Sequence, residues 1–342
     1  MSERSVIFLK KRIAVILLIL TLIYVTADYS FDASVSASGN IDNREYVLGG
    51  EIIGIKLYGK GLICIDFESV SGKNPAIEAG LRRGDVILSV NGKEILNTDD
   101  FSKTVATSSG ELKIVYDRDG EISETAITPI KDESGISRVG MWVRDSIAGV
   151  GTVTFYDEKE GEVVTLGHSV SDSDTGRNFI VRKGYITDCD VLSVEQSKSG
   201  YPGEIVGKFK EDEKIYGYIT KNTAGGLFAN SSGLTSGEGL KVKAAPSNEV
   251  KDGEAFLYTE LGGDGVKPYK VEIKKVYSRA KGDMIVTVKD NELLSLTGGI
   301  VQGMSGSPLV QNGKLIGAVT HVFVNDPTRG YGIFIENMLS KE

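Results

Sequence analysis

From about residue 135 onward the chain alternates short β patterns with glycine and Asp/Asn turns, and no long helical periodicity interrupts them. Residues 204–209, 214–219 and 269–276 are examples. Many short strands at this spacing bury their apolar faces by pairing into a sandwich or a barrel. The 42 glycines among 342 residues supply turns for such a fold. The expected class is therefore mainly β.

One six-residue run adds chemistry to that frame. Gly303-Met304-Ser305-Gly306-Ser307-Pro308 sets a serine between small residues. A nucleophilic serine needs close backbone approach, so that N–H groups can stabilise the oxyanion forming on its target. Glycine permits the approach because it has no Cβ. Gly303 and Ser305 are the expected oxyanion donors. The alternative is a Gly/Ser/Pro turn between strands.

A serine nucleophile usually takes its general base from histidine, and this chain has only two. His168 follows the strand-like run at residues 161–164 and sits between Gly167 and Ser169, a placement that suits a cleft. His321 lies inside the strand pattern of residues 316–324 and reads as a sheet residue. The carboxylate that would orient the base is less determined. Asp290 follows the alternating Met284, Val286 and Val288, before Ser305 in the chain. Asp172, Asp174, Asp188 and Asp190 are rivals, and an Asp at a strand end is often a turn former.

The net charge of −8 argues against a nucleic-acid partner, which requires a basic field. Cys64 and Cys189 form no Cys-x-x-Cys pair, so a zinc site built with the two histidines is not expected, and two free thiols are favoured over a disulfide. No cofactor is expected. Near the N-terminus, Lys10-Lys11-Arg12 precedes an apolar run from Ile13 to Ala27. A basic flank followed by an apolar core marks a signal peptide or signal anchor, so residues 1–27 are expected to export the rest and to meet a membrane. Residues 28–48 are polar and read as a linker.

From Gly49 the pattern becomes short strands, at residues 52–57 and 62–67. Asn74 as N-cap, Pro75 at the first helical position and Gly80 as stop predict a short helix. Asn91-Gly92 predicts a hairpin turn. Thr98 is expected to cap a second helix that stacks Phe101 and Val105 on its inner face. The stretch from Asn74 to Lys93 is similar to bacterial PDZ domains of peptidases. That likeness implies a PDZ domain (α+β) over residues 49–130 that binds a peptide by strand addition. Ile53, Gly54 and Ile55 would supply the strand, and Phe101 and Val105 the helical wall.

The run Gly299 to Pro308, together with residues 317–327, Leu166-Gly167-His168 and Lys289-Asp290, resembles the sporulation stage IV B peptidase family. That family joins an N-terminal membrane segment, a PDZ domain and a serine peptidase domain of chymotrypsin type. The resemblance implies a chymotrypsin-like double β-barrel over residues 131–342, with His168 as base, Asp290 as orienting acid and Ser305 as nucleophile. It also implies an exported, membrane-associated endopeptidase, working between the forespore and mother-cell membranes. Its protein substrate would be a membrane-embedded regulator of an intramembrane protease, and self-cleavage is a family trait. A non-catalytic PDZ adaptor with a vestigial peptidase fold is the reading of a different class.

Overall fold

The computed structural model describes residues 41, 44–210, 214–230, 239–261, 264–276 and 282–340. The expected export segment 1–27 and most of the linker lie outside them. No helix among the described residues is long and apolar enough to cross a membrane.

The protein is mainly β, and its strands close two rings. In the first, Met141–Asp157 pairs with Glu162–Thr165, then follow Gly226–Asn230, Ile215–Thr223, Val181–Thr187 and Ile52–Phe67, which returns to Met141–Asp157. In the second, Gly253–Glu260 pairs with Val266–Lys275, then follow Met284–Val288, Arg329–Phe334, Lys314–Val322 and Pro308–Gln311, which returns to Gly253–Glu260. Each ring encloses its own apolar cluster. Ile55, Leu57, Val153, Val163, Phe179 and Leu227 fill the first, and Leu257, Val271, Met284, Val286, Leu309 and Val319 fill the second. Closure leaves these strands no free edge along most of their length, which is how an all-β chain avoids aggregation through its edges.

A smaller α+β unit is inserted between the two long strands of the first ring. Helix α1 (Pro75–Glu78) starts as expected, with the Asn74 side chain accepting from the Ile77 N–H. Helix α2 (Thr98–Ala106) is capped one residue earlier than expected, by Asn97, whose side chain accepts from the Asp100 N–H. Asn91-Gly92 and Asn312-Gly313 both turn with positive φ at each residue, as a type I′ hairpin requires. The unit has a separate core of Leu62, Ile87, Ile95, Phe101, Val105, Leu112, Ile114 and Ile127.

Strand pairing crosses the expected boundaries at residues 49 and 130. Residues 52–58 pair within the first ring, whereas Met141 to Arg144 pair with the Phe67–Ile63 part of the inserted unit's sheet. The same pairing leaves Ile53, Gly54 and Ile55 without a free edge on which to add a strand. Gly54 and Ile55 have Val150 and Gly149 on one edge and Thr187 and Ile186 on the other, and Ile53 lies buried beside them opposite Gly151. Phe101 and Val105 are likewise core residues, each 4% exposed. The alternation in residues 52–57 marks a strand correctly, but it carries no information about which strands will flank it.

Cys64 and Cys189 are both free thiols. Burial, with Asp85 and Asp66 nearby, pushes the Cys64 thiol up to about 12, so it stays protonated and inert.

Candidate active site

Ser305 sits in a turn between Ile300 and the Pro308–Gln311 strand, and strand Met141–Asp157 stitches that turn down. The Thr152 N–H donates to the Ser305 carbonyl at 3.0 Å, and the Thr152 hydroxyl donates to the Gly303 carbonyl at 2.8 Å. The Thr154 hydroxyl donates to the Gly306 carbonyl at 2.7 Å. Thr152 and Thr154 are fully buried, so each hydroxyl must find an acceptor, and both find one on the nucleophile turn. From the opposite side the Gly306 N–H donates to the Val319 carbonyl at 2.8 Å. Gly306 has φ +96, and a Cβ there would stand 2.1 Å from the Thr152 carbonyl oxygen and 2.5 Å from Leu166 N. Only glycine fits that position.

This stitching leaves two donors over. Among the described residues, the N–H groups of Gly303 and Ser305 have no protein acceptor, although their neighbours at Met304, Gly306 and Ser307 are all bonded. Both residues are half-buried. A pair of unspent N–H groups in the turn that carries a serine hydroxyl is what a developing oxyanion requires.

His168 is presented by the turn that ends strand Glu162–Thr165. Thr165 donates its hydroxyl to the Thr152 carbonyl at 2.5 Å, tying this turn to the same residue that holds the nucleophile turn. Leu166 and Gly167 then adopt φ 71 and φ 68, and the Gly167 N–H closes on the Thr165 carbonyl at 2.9 Å. Leu166 is non-glycine in the left-handed region, a local strain of the kind that clusters at functional sites.

The His168 Nδ1 lies 2.9 Å from the Ser169 carbonyl oxygen. A carbonyl only accepts, so Nδ1 carries the proton and Nε2 keeps its lone pair, which is the tautomer a general base needs. Burial holds the imidazole below its ordinary pKa, against a smaller upward pull from the Ser169 carbonyl. The ring of His321 stacks on that of His168, with centroids 4.6 Å apart and planes tilted by 35°. Partial burial and the neighbouring His168 push His321 down to about 4. Both rings are therefore neutral at pH 7.

The Ser305 hydroxyl donates to the Thr320 carbonyl at 2.6 Å rather than to His168. Thr320 precedes His321 in the strand that forms the far wall of the site, so Ser305, His168 and His321 all contact one strand end.

Asp290 stands elsewhere. Its Oδ1 accepts from the Glu292 and Leu293 N–H groups at 2.9 and 3.1 Å, capping helix α3 (Asn291–Thr297). Its Oδ2 accepts from the Lys270 N–H at 3.2 Å. Across the second ring His321 faces Tyr331, which faces Ile285, and Asp290 lies beyond the end of that strand. The rivals are also engaged. Asp172 and Asp174 pair with Arg144, and Asp188 and Asp190 pair with Lys210. Among the described residues, no carboxylate hydrogen-bonds His168, and the Ser169 carbonyl occupies the position an orienting acid would take. The sequence did carry a signal for the cap: an Asp followed by Glu292 in the first turn and apolar Leu293 and Leu294.

Thr152, Thr154, Thr165 and the Thr320 carbonyl are site residues that sequence reading missed. Nothing in a threonine of an alternating strand announces that its hydroxyl will meet a turn some 150 residues away. Among the described residues, no cluster of His, Cys, Asp and Glu is placed to hold a metal ion.

Comparison with known proteins identifies the family of the chain. The family model for SpoIVB peptidase S55 matches residues 135–339, and a PDZ domain model matches residues 68–115. Over 74 residues, 21% of this chain and 22% of its relative, the chain is 34% identical to a protein described as a zinc metalloprotease of Clostridium perfringens (strain 13 / Type A). A similarly described protein of Staphylococcus aureus (strain COL) is 31% identical over 88 residues, 25% of this chain and 20% of its own. The chain thus spans about a fifth of the length of these curated relatives. Among solved structures, the PDZ domain of an SdrC-like protein from Listeria monocytogenes superposes with a TM-score of 0.22 and 21% identity, covering 25% of this chain and 87% of its own. The Rv3671c protease in its inactive form superposes with a TM-score of 0.30 and 15% identity, covering 56% of this chain and 82% of its own.

Proposed function

The chain belongs to the SpoIVB peptidase S55 family, and we propose that it is a serine endopeptidase with Ser305 as nucleophile and His168 as general base. The observation that carries this reading is the pair of unspent N–H groups, at Gly303 and Ser305, in the turn that carries the serine hydroxyl. The two closed rings of strands, with Ser305 on one and His168 on the other, support a double-barrel peptidase of chymotrypsin type. The site lies where the two rings meet.

In the reaction, the Ser305 hydroxyl leaves the Thr320 carbonyl and turns to the lone pair of His168 Nε2. As Oγ attacks the scissile carbonyl carbon, its proton passes to Nε2. The carbonyl oxygen becomes an oxyanion held by the N–H groups of Gly303 and Ser305. The imidazolium then gives its proton to the departing amine, leaving an acyl-enzyme. Water, deprotonated by the same histidine, releases the second product. The Ser169 carbonyl holds the ring's tautomer throughout and stabilises the Nδ1–H of the imidazolium.

The family resemblance extends the proposal to its setting. The protein is exported, is membrane-associated through residues 1–27, and acts on a membrane-embedded regulatory protein during signalling between forespore and mother cell, with self-cleavage. The deciding experiment is labelling with a fluorophosphonate followed by peptide mapping. Label on Ser305 supports the reading. A folded chain that takes no label at Ser305 defeats it.

A further inference from the structure

Strand Met141–Asp157 is 17 residues long and runs from the inserted unit to the nucleophile. Its two edges differ. One is covered by strand Ile52–Phe67 from Met141 to Thr152. The other is taken by strand Glu162–Thr165 at Val153 to Asp157, and by the Ser305 carbonyl at Thr152. From Gly151 back to Met141 no strand pairs with that second edge.

The direction of each backbone group follows from two bonds. The Thr152 N–H points to Ser305, whereas the Val153 N–H points to the Glu51 carbonyl on the opposite side. Backbone groups alternate along a strand. The N–H groups of Ser146, Ala148 and Val150 therefore face outward, in register with the bond that Thr152 gives to the Ser305 turn, along the stretch where the pairing with strand Ile52–Phe67 is unbroken. Ala148 and Gly149 are exposed, and a Cβ at Gly149 would meet nothing within 4 Å. Trp142, the only tryptophan in the chain, is 55% exposed at the far end.

Two elements border this edge. Helix α2 meets it near Asp145, whose carboxylate accepts from the Thr98 N–H at 2.9 Å. At the other end the hairpin of Cys189–Glu195 and Glu204–Phe209 covers Val150, with a Cβ at Gly207 placed 2.7 Å from Val150 Cγ2. That hairpin also holds the nucleophile turn, since the Ile205 N–H donates to the Gln302 carbonyl at 2.9 Å.

Resting on the serine peptidase reading, we infer that the open edge from Trp142 to Val150 binds an extended polypeptide segment of the substrate. The occupant is a substrate chain rather than a separate ligand because the edge ends on Ser305 itself. A strand added there is continuous with the reaction centre. At 3.3 Å per residue the edge reaches about 33 Å from Thr152 to Trp142, so it engages only substrates with about ten residues beyond the scissile bond on one side. Main-chain pairing gives affinity with little demand on side chains, and the exposed Trp142 offers an apolar contact at the far end.

The test uses the whole chain and two randomised peptide pools, one of about four residues and one of about twenty, since a tetrapeptide reaches at most about 10 Å beyond Thr152 and stops short of Ala148, whereas the longer reaches Trp142. Variants Ala148→Pro and Ser146→Pro each remove an outward donor without removing a bond to strand Ile52–Phe67, and proline is tolerated where the N–H faces solvent. Fluorophosphonate labelling of Ser305 reports in parallel on the integrity of the site. We expect the parent to cut the long pool at least about tenfold faster in kcat/KM, and either variant to lose that advantage while keeping its short-pool rate and its labelling. Equal rates on the two pools in a labelled parent overturn the edge site alone. An equal fall on both pools in a labelled variant does the same. A parent that is folded yet unlabelled at Ser305 overturns the peptidase reading, and the edge site with it.

Discussion

The Ser305 hydroxyl rests on the carbonyl oxygen of Thr320 at 2.6 Å, one residue from the histidine whose ring stacks on His168. The Ser305 proton is thus held by a main-chain acceptor while His168 Nε2 keeps a free lone pair. In the proposed reaction that proton leaves the Thr320 carbonyl for His168, which exchanges one hydrogen bond for another of comparable strength.

Ser305→Ala should therefore remove all peptide cleavage and all fluorophosphonate labelling without changing the thermal midpoint. His168→Ala should be equally inactive, because base and nucleophile act as a unit. His321→Ala keeps both members of that unit, and its loss should cost no more than about tenfold in kcat, through looser positioning of the His168 ring. Steady-state rates on a short peptide, with midpoints measured alongside, check all three. An inactive His321→Ala beside an active His168→Ala would reverse the roles assigned to the two rings.

Asp290 separates structural from catalytic duty. As an N-cap it is well replaced by asparagine and badly by alanine. Asp290→Ala should lose about 1 kcal/mol of stability, and Asp290→Asn much less, with kcat nearly unchanged in both. A triad acid behaves in the opposite way: the asparagine variant would fall about 10⁴-fold in kcat through the wrong histidine tautomer. Denaturant midpoints and kcat on the pair of variants decide between the two, and a large loss of kcat in folded Asp290→Asn would restore the carboxylate to the reaction.

Thr152 is the residue through which the first ring fixes the nucleophile turn. Thr152→Val keeps its shape and its N–H but withdraws the hydroxyl from the half-buried Gly303 carbonyl, leaving that acceptor without its partner. The expected stability cost is about 1–3 kcal/mol. Because the Gly303 peptide carries one of the oxyanion donors, kcat should fall about tenfold or more while KM changes little. Thr152→Ser should recover most of kcat. A valine variant with parental kcat would mean that the turn holds its shape without this bond.

What the sequence made legible follows from how local each signal is. The serine run and the Asn-Gly turns are written in neighbouring residues, so Ser305, its glycines and the hairpins at Asn91-Gly92 and Asn312-Gly313 could be read directly. His168 was readable because a strand end and a glycine sit beside it. Thr152 was not, since its partners lie across the molecule. Neither was the fate of Ile53, Gly54 and Ile55: their alternation fits an edge strand and a central strand equally well. The family resemblance assigns Asp290 as the acid, whereas capping the helix start that follows it is the role the structure shows for its side chain. Membrane contact through residues 1–27 concerns a segment outside the described residues.

The two histidines set the acid side of the pH behaviour. Both are held below the ordinary value of 6.5, His168 mainly by burial and His321, at about 4, by burial and by its neighbour. At these two rings the unfolded chain therefore binds more protons than the folded one between about 4 and 6.5, and their contribution to stability rises with pH across that window, against the opposite contribution of Glu51, whose carboxyl burial holds above its ordinary value. The histidine contribution is fully present above 6.5 and is lost on acidification as both rings are driven to charge. His321→Gln removes one of those protons, so its thermal midpoint should fall less than the parent's over the same interval. Catalysis follows the same sign. A base with a depressed pKa stays neutral in mild acid, so kcat/KM should hold its plateau below pH 6.5 before declining. A pH–rate profile on a short peptide, taken at constant ionic strength, reads the midpoint of that limb. A limb centred at about 7 or higher would show that His168 is charged in the resting site, and that the neutral, stacked pair is not the state from which the reaction starts.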